Sequence, residues 1–178
     1  MEKCVVVDDF FDDPYKMIDY QKTLDYHKRD EDQNWEGLRT PNLLETDPDF
    51  YLDITTRLIY NYYDRTKTYS VTGHLNFHRL TNEDKKDIKW IEKKIHQDAY
   101  ELISIIYLTP NAPMTSGTQI YRETENGKIP DVIFHNKFNR LIQFPAYEWH
   151  SAMDLDGGDE ERLTLLFFLE KIEEVKVD

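Results

Sequence analysis

The chain has 178 residues, 39% of them apolar, with one cysteine and a formal net charge of -13. This is enough for a single domain around one core, and the lone Cys4 excludes an internal disulfide and fits a reducing cytoplasm. The acidity argues against a broad phosphate-binding surface, because nucleic-acid binders gain affinity by neutralising phosphates with Lys and Arg.

No apolar run approaches the length of a membrane span, and Met1 is followed by charged residues, not by a signal-peptide core. The β-branched run Val5 to Val7 predicts a first strand. In the following DDFFDDP, the Asp residues and Pro14 predict a turn and a helix start, with the helix over Tyr15 to Leu24. The polar stretch His27 to Glu45, with Gly37 and Pro41, reads as loop. Asp47-Pro48 then caps a second helix whose apolar stripe is Phe50, Leu52, Ile54, Leu58, Ile59 and Tyr62. From Tyr69 the period changes to two. Val71, Gly73, Leu75 and Phe77 alternate with Thr72, His74, Asn76 and His78, as in a half-buried strand. Thr81 to Lys94 is polar and reads as loop with a helical turn. Short β-rich segments follow at Leu102 to Thr109, Thr118 to Tyr121, Val132 to Phe134, Arg140 to Phe144 and Leu163 to Leu169. Turn signals separate them at Pro110-Asn111, Ser116-Gly117, Asn126-Gly127, Pro145 and Gly157-Gly158. Helices first and many short strands later predict a mainly β fold, a barrel or jelly roll with flanking helices.

Four residues in the second half stand out. His96 and Asp98 are spaced i, i+2, which puts both side chains on one face of extended chain. His150, arriving at the end of an apolar strand, would complete a facial triad of two imidazoles and one carboxylate that leaves three cis metal positions open. His27 and His135 are expected outside that sphere. Arg162 opens the most hydrophobic strand, LTLLFFL, and shares a face with Thr164, Leu166 and Phe168. An arginine on a core-facing side needs an anion. The partner is either a protein carboxylate such as Glu160 or Glu161, or a bound dicarboxylate with the Thr164 hydroxyl as second donor.

The order His-x-Asp, several strands, His, a short acidic Gly-containing turn, then Arg-x-Thr resembles the Fe(II)/2-oxoglutarate-dependent dioxygenase superfamily. IIYLTP looks like the "YLN" strand of its prolyl-hydroxylase branch, SGTQIYR like its "Gly-Gly" strand, and KFNRLIQFPAYEWHSA like its "G-rLvlFp…lHs" strand. The opening VVVDDFFDDP is similar to the "vvDdFl-dp" start of that branch, and small stand-alone enzymes of this shape are of a type frequent in phage. The resemblance implies a double-stranded β-helix (jelly roll) over 69–178, supported by an N-terminal strand and helices over 1–68, in one oxygenase domain spanning 1–178. It implies His96, Asp98 and His150 as catalytic iron ligands. It implies Arg162 and Thr164 as holders of the 2-oxoglutarate side-chain carboxylate, with the Tyr107 phenol reaching it and Ile120 packing on the co-substrate. Asn76 or His78 falls where the branch places a substrate-facing Tyr or Asn. A His-Arg there, in place of Tyr-Pro or Tyr-Gly, is a departure from the pattern, as is the scarcity of Gly in the next loop.

The implied activity is hydroxylation of an unactivated C–H bond using Fe(II), 2-oxoglutarate and O2, with succinate and CO2 as co-products. A peptidyl, prolyl side chain is the first expectation for substrate. Nucleic-acid demethylation and small-metabolite hydroxylation are the alternatives in the same superfamily. Two readings come from other classes. Arg162-x-Thr164 argues against a cupin-like metalloenzyme that needs no 2-oxoglutarate. The intact His-Asp-His set argues against a non-catalytic jelly-roll binding or virion protein. The expected partners are a peptide, protein or small-molecule substrate, with no membrane; the sequence leaves the oligomeric state open.

Overall fold

A computed structural model describes residues 3–28, 35, 37–81, 84, 95–153 and 161–176. Two antiparallel sheets face each other. Among the described residues nine strands occur in chain order: β1 (Val5–Val7), β2 (Leu38–Arg39), β3 (Thr68–Leu80), β4 (Leu102–Tyr107), β5 (Thr118–Thr124), β6 (Gly127–Phe134), β7 (Leu141–Pro145), β8 (Trp149–Ala152) and β9 (Arg162–Val175). The major sheet has the order β1-β7-β4-β9-β3-β2 and the minor sheet β6-β5-β8. Helices α1 (Pro14–Gln21), α2 (Leu43–Thr46) and α3 (Pro48–Tyr62) belong to the N-terminal segment. This is the mainly β jelly roll with flanking helices that the sequence predicts. No helix among the described residues is long and apolar enough to cross a membrane.

The major sheet is buried on both sides, which explains the unbroken apolar run of β9. Leu163, Leu165, Phe167 and Leu169 join Leu75 and Phe77 of β3 and Leu102 and Ile106 of β4 in a core with Ile54, Leu58 and Ile59 of α3. The alternate residues face the minor sheet: Ile103 and Tyr107 pack with Ile120, Phe134, Ile142 and Phe144, with Phe168 at the margin. Strand register carries this division across the sheet, with Tyr107 opposite Thr164 and His78 opposite Thr164 on the other side. Near the far end of β3 the register shifts between Thr72 and Gly73. A Cβ at Gly73 would lie 2.5 Å from the Phe168 carbonyl oxygen, so only glycine fits there.

Several local expectations need correction. The stretch His27 to Glu45 is not all loop. Gly37, at φ 85, turns the chain into β2, which pairs with β3, and Asn42 caps α2. Helix α1 ends at Gln21, so Leu24 packs on the core from beyond it. Leu52 lies on the solvent side of α3, 64% exposed, because Tyr51, Ile54, Leu58 and Ile59 set the buried stripe. Strand β6 starts at Gly127, well before Val132, and pairs only with β5. Its Pro130 and exposed Ile129 and Ile133 suit an edge strand and hide the pattern. Through β1 and β2 the N-terminal segment also contributes both edge strands of the major sheet. The turn expected at Gly157-Gly158, and most of the Thr81 to Lys94 stretch, lie outside the described residues.

Candidate metal centre

His96, Asp98 and His150 come together with one ligand atom from each, all within 4.8 Å of one another. The backbone explains how. His150 sits on β8 opposite Ile120 of β5, not at the end of the preceding apolar strand. That strand, β7, belongs to the other sheet, and the turn Ala146–Glu148 switches between them. On the free edge of β8, His96 forms an isolated antiparallel bridge with His150. Its N–H donates to the His150 carbonyl at 3.0 Å, and the His150 N–H returns the bond at 2.9 Å. Residues exchanging both bonds lie directly opposite, so the two rings stand side by side with centroids 4.4 Å apart. Two residues on, the Asp98 N–H donates to the Ala146 carbonyl at 2.9 Å, and β4 starts at Leu102 in the other sheet. The three side chains thus gather where the chain crosses between sheets. His27 and His135 belong to no such group among the described residues: the His27 ring lies against Trp35, and His135 Nδ1 is 3.3 Å from the Met114 carbonyl oxygen.

His150 Nδ1 lies 2.8 Å from the Glu148 carbonyl oxygen. A carbonyl only accepts, so Nδ1 carries the proton and Nε2 is left to act as ligand or base. Nε2 is 3.4 Å from Asp98 Oδ2, and His96 Nε2 is 3.7 Å from Asp98 Oδ1. Two acceptors that close need a cation between them, either a proton or a metal ion. Burial pushes the Asp98 carboxyl up. The His150 hydrogen bond and the charges of His150, His96 and Arg39 outweigh this, so the net direction is down and the group is an anion.

Along the interior from His150 runs a second polar group. Ile120, opposite His150, is buried, and two residues before it on the same face of β5 is Thr118. The Thr118 hydroxyl is 2.8 Å from the Tyr107 hydroxyl, and the Arg162 guanidinium lies over the Tyr107 ring at 5.7 Å. Tyr107 is fully buried, and burial pushes its phenol up, opposed by Arg162, Thr118 and Arg140. Arg162 is 8% exposed, and among the described residues its Nε makes a single long 3.5 Å contact, to the Ser116 carbonyl oxygen. Burial pulls it down from the usual arginine range, with only Tyr107 opposing. Glu161 does not pair with it; its carboxylate is 3.2 Å from Arg79 Nε. Glu160 lies outside the described residues. Beside Arg162, the fully buried Thr164 hydroxyl has no hydrogen-bond partner. A buried cation that meets no anion among the described residues and a buried hydroxyl without a partner are both costly, and a bound carboxylate would satisfy both. Thr118 was available to sequence reasoning, since it precedes Ile120 at i, i+2.

The interior face of β3 is only partly at the site. His78 is buried, opposite Thr164, with its ring 6.0 Å from that of Trp35. Asn76 donates to the Thr40 carbonyl at 2.9 Å. His74 turns to the surface, its Nε2 2.8 Å from Glu170 Oε1, and so does not project with the other two. Arg39 and Trp35, in the stretch read as loop, stand beside His78: the Arg39 guanidinium is 4.6 Å from the Trp35 ring centroid and 5.3 Å from that of Phe168. No sequence pattern marked either residue.

A family model described as "Family of unknown function (DUF6445)" matches residues 1–130. The chain belongs to this family. The matched span includes His96 and Asp98 and stops before His150 and Arg162. No curated protein matches the sequence. Among solved structures, the chain is similar to an oxidoreductase of the 2OG-Fe(II) oxygenase family from Burkholderia pseudomallei. The TM-score is 0.59 at 16% identity, covering 94% of this chain and 84% of that one. It is similar to HygX from Streptomyces hygroscopicus, solved with nickel and 2-oxoglutarate, at TM-score 0.59 and 12% identity over 94% and 82% of the two chains. It is also similar to a prolyl hydroxylase from Trichoplax adhaerens, solved with a hypoxia-inducible-factor peptide. There the TM-score is 0.56 at 12% identity, over 94% and 83%. At these identities the likeness is one of fold: this DUF6445 chain has the jelly roll of the Fe(II)/2-oxoglutarate oxygenases.

Proposed function

We propose that this protein is an Fe(II)- and 2-oxoglutarate-dependent dioxygenase. The observation that carries the reading is the pairing of a His-Asp-His cluster with a buried arginine that meets no carboxylate among the described residues and a buried hydroxyl without a partner, in the same barrel interior. His96, Asp98 and His150 would hold the iron, two neutral imidazoles and one carboxylate leaving cis positions open. The Glu148 carbonyl fixes the His150 tautomer for that task. Arg162 and Thr164 would hold the distal carboxylate of 2-oxoglutarate, the planar guanidinium supplying direction as well as charge. Along β5, Thr118 and Ile120 are about 7 Å apart, so the group around Tyr107 lies one short dicarboxylate away from the metal ligands. Ile120 would pack on the co-substrate chain, and Phe134, Ile142 and Phe144 would keep the interior dry. When bound, iron with 2-oxoglutarate and O2 supplies the oxidising chemistry: one oxygen atom goes to the substrate C–H bond, the other to succinate, and CO2 leaves.

For the primary substrate we favour a peptidyl side chain, with proline first. Support comes from the strand motifs and from the fold likeness to a prolyl hydroxylase solved with its peptide. The net charge of -13 weighs against a nucleic acid. One anaerobic titration tests the class. Fe(II) plus 2-oxoglutarate should give a weak visible metal-to-ligand charge-transfer band. Iron binding with no response to 2-oxoglutarate would indicate a cupin-like enzyme, and no binding of either a non-catalytic jelly roll. Substrate is then sought by mass spectrometry for a single added oxygen on proline-containing peptides, free amino acids and alkylated oligonucleotides. Oxygen found only on a free amino acid, or methyl loss only from oligonucleotides, would overturn the peptidyl assignment and leave the class standing.

A further inference from the structure

Of the seven described arginines, Arg57 and Arg65 donate to carbonyls, and Arg79, Arg122 and Arg140 meet carboxylates. Arg162 has its long carbonyl contact. Arg39 differs from them: its Nε, like that of Arg79, is sealed from solvent with no hydrogen-bond acceptor, but its guanidinium meets no carboxylate among the described residues. Scarcity of acids is no explanation in a chain with 35 of them against 22 lysines and arginines.

The backbone under Arg39 is clamped from two directions. It pairs with His78 across β2–β3, and it exchanges hydrogen bonds of 3.0 and 2.9 Å with His27 on the other side. The side chain is then held against the faces of Trp35 and Phe168. The wall continues through Tyr100, whose ring is 5.1 Å from that of Phe168, to Asp98. Asp98 and Arg39 each feel the other's charge without forming an ion pair. An aromatic sandwich orients a guanidinium and excludes water around it, so an anion there is bound more strongly than on open surface.

We propose that Arg39 anchors the primary substrate by binding one of its carboxylates, beside the metal ligands and apart from the Arg162 site. A planar carboxylate fits the guanidinium edge with two parallel hydrogen bonds. Burial pulls Arg39 down to about 10, against the charges of Tyr100 and Asp98, so it stays cationic at neutral pH. The carboxylate is either the α-carboxylate of an amino acid or chain end, or an acidic side chain flanking the oxidised residue.

This rests on the oxygenase reading, and the test separates the two. Full-length protein loaded with Zn(II) and one equivalent of 2-oxoglutarate is titrated calorimetrically with four probes. They are N-acetylproline, N-acetylprolinamide, and the peptides acetyl-Gly-Pro-Glu-amide and acetyl-Gly-Pro-Gln-amide. At least one acid should bind about tenfold or more tightly than its amide, the loss expected for a charge-assisted pair. Which acid does so identifies the source. Arg39→Gln should abolish the preference, Arg39→Lys should keep some of it, and neither should change the 2-oxoglutarate affinity. If Arg39→Gln fails to fold, Arg39→Lys and Trp35→Leu must each still reduce the preference. Acids and amides binding alike, or not at all, to protein that does take up 2-oxoglutarate would overturn the anchor alone. A wild-type protein that takes up no 2-oxoglutarate would overturn both readings, and an Arg39→Gln protein that loses 2-oxoglutarate would move Arg39 into the co-substrate site.

Discussion

Thr164→Val should raise stability and lower co-substrate affinity at once. The Thr164 side chain is fully buried on β9, and its hydroxyl has no partner. Leaving a buried donor or acceptor unsatisfied costs about 1–3 kcal/mol. Valine is nearly isosteric, keeps the β-branch that suits a strand, and removes the orphan without opening a cavity. Taking the low end, the ligand-free protein should gain about 1 kcal/mol, which for a domain of this size raises Tm by about 2–4 °C. In the liganded protein the same hydroxyl would donate to a carboxylate, a bond that contributes about 1.5–3 kcal/mol. The 2-oxoglutarate Kd should therefore rise about tenfold to a hundredfold. Thermal unfolding in chelator measures the first effect, and anaerobic calorimetry of the metal-loaded protein the second. A destabilised ligand-free variant would show that the hydroxyl is satisfied in the native state. Unchanged 2-oxoglutarate affinity would remove Thr164 from the co-substrate site.

Arg162→Lys should weaken 2-oxoglutarate binding far more than metal binding, because lysine keeps the charge and loses the planar fork; equal affinities in a calorimetric comparison would make Arg162 a structural residue. His78→Ala should lower product formed per succinate released while succinate still forms, because His78 lies between Trp35 and Thr164 and is assigned no metal contact; unchanged coupling would place it outside the substrate pocket. Asp8 is held down at about 2 by hydrogen bonds from Arg140 and Lys137, with a 2.6 Å contact to Arg140 Nε. Its folded value is below the unfolded one near 3.9. The stabilisation is therefore present above about pH 4 and lost as pH falls toward 2. With the carboxylate 38% exposed, it is worth less than about 1 kcal/mol. Wild type and Asp8→Asn should differ by no more than about 2–4 °C in Tm at neutral pH and converge in acid; a gap that widens below pH 4 would reverse the sign.

What the sequence displayed of this fold is what repeats along the chain. Strand β3 shows alternation because one of its faces is buried deeply and the other partly, and β9 shows an apolar run because helices cover one face and the minor sheet the other. The spacing of His96 and Asp98 was visible because it is local. The elements that escaped are held by contacts distant in sequence. Strand β2 has two residues, too few for any period, and exists because Arg39 and Leu38 pair with β3 while Thr40 exchanges bonds with Phe77. Pro145 marked the end of β7, but β8 has four residues, too few for a period, so the sheet that carries His150 was not legible. Arg39 and Trp35 were invisible for the same reason: polar and aromatic residues in an irregular stretch look alike whether they face solvent or a pocket.

A folded protein tolerates few unsatisfied buried polar groups, because each costs an appreciable fraction of a net stability of only about 5–15 kcal/mol. Two such groups, Arg39 Nε and the Thr164 hydroxyl, fall in one connected region between the sheets, with Arg162 and its long carbonyl contact beside them. Arg162 and Thr164 flank Tyr107, and Arg39 lies beyond His78, the residue opposite Thr164. The His-Asp-His cluster lies within reach of both sides, joined to the first through Ile120 and to the second through Asp98. Folding alone does not account for two guanidinium groups that meet no carboxylate among the described residues, on one interior wall of an acidic protein. Two anionic ligands meeting at a cation, one for each arginine as proposed, would account for them.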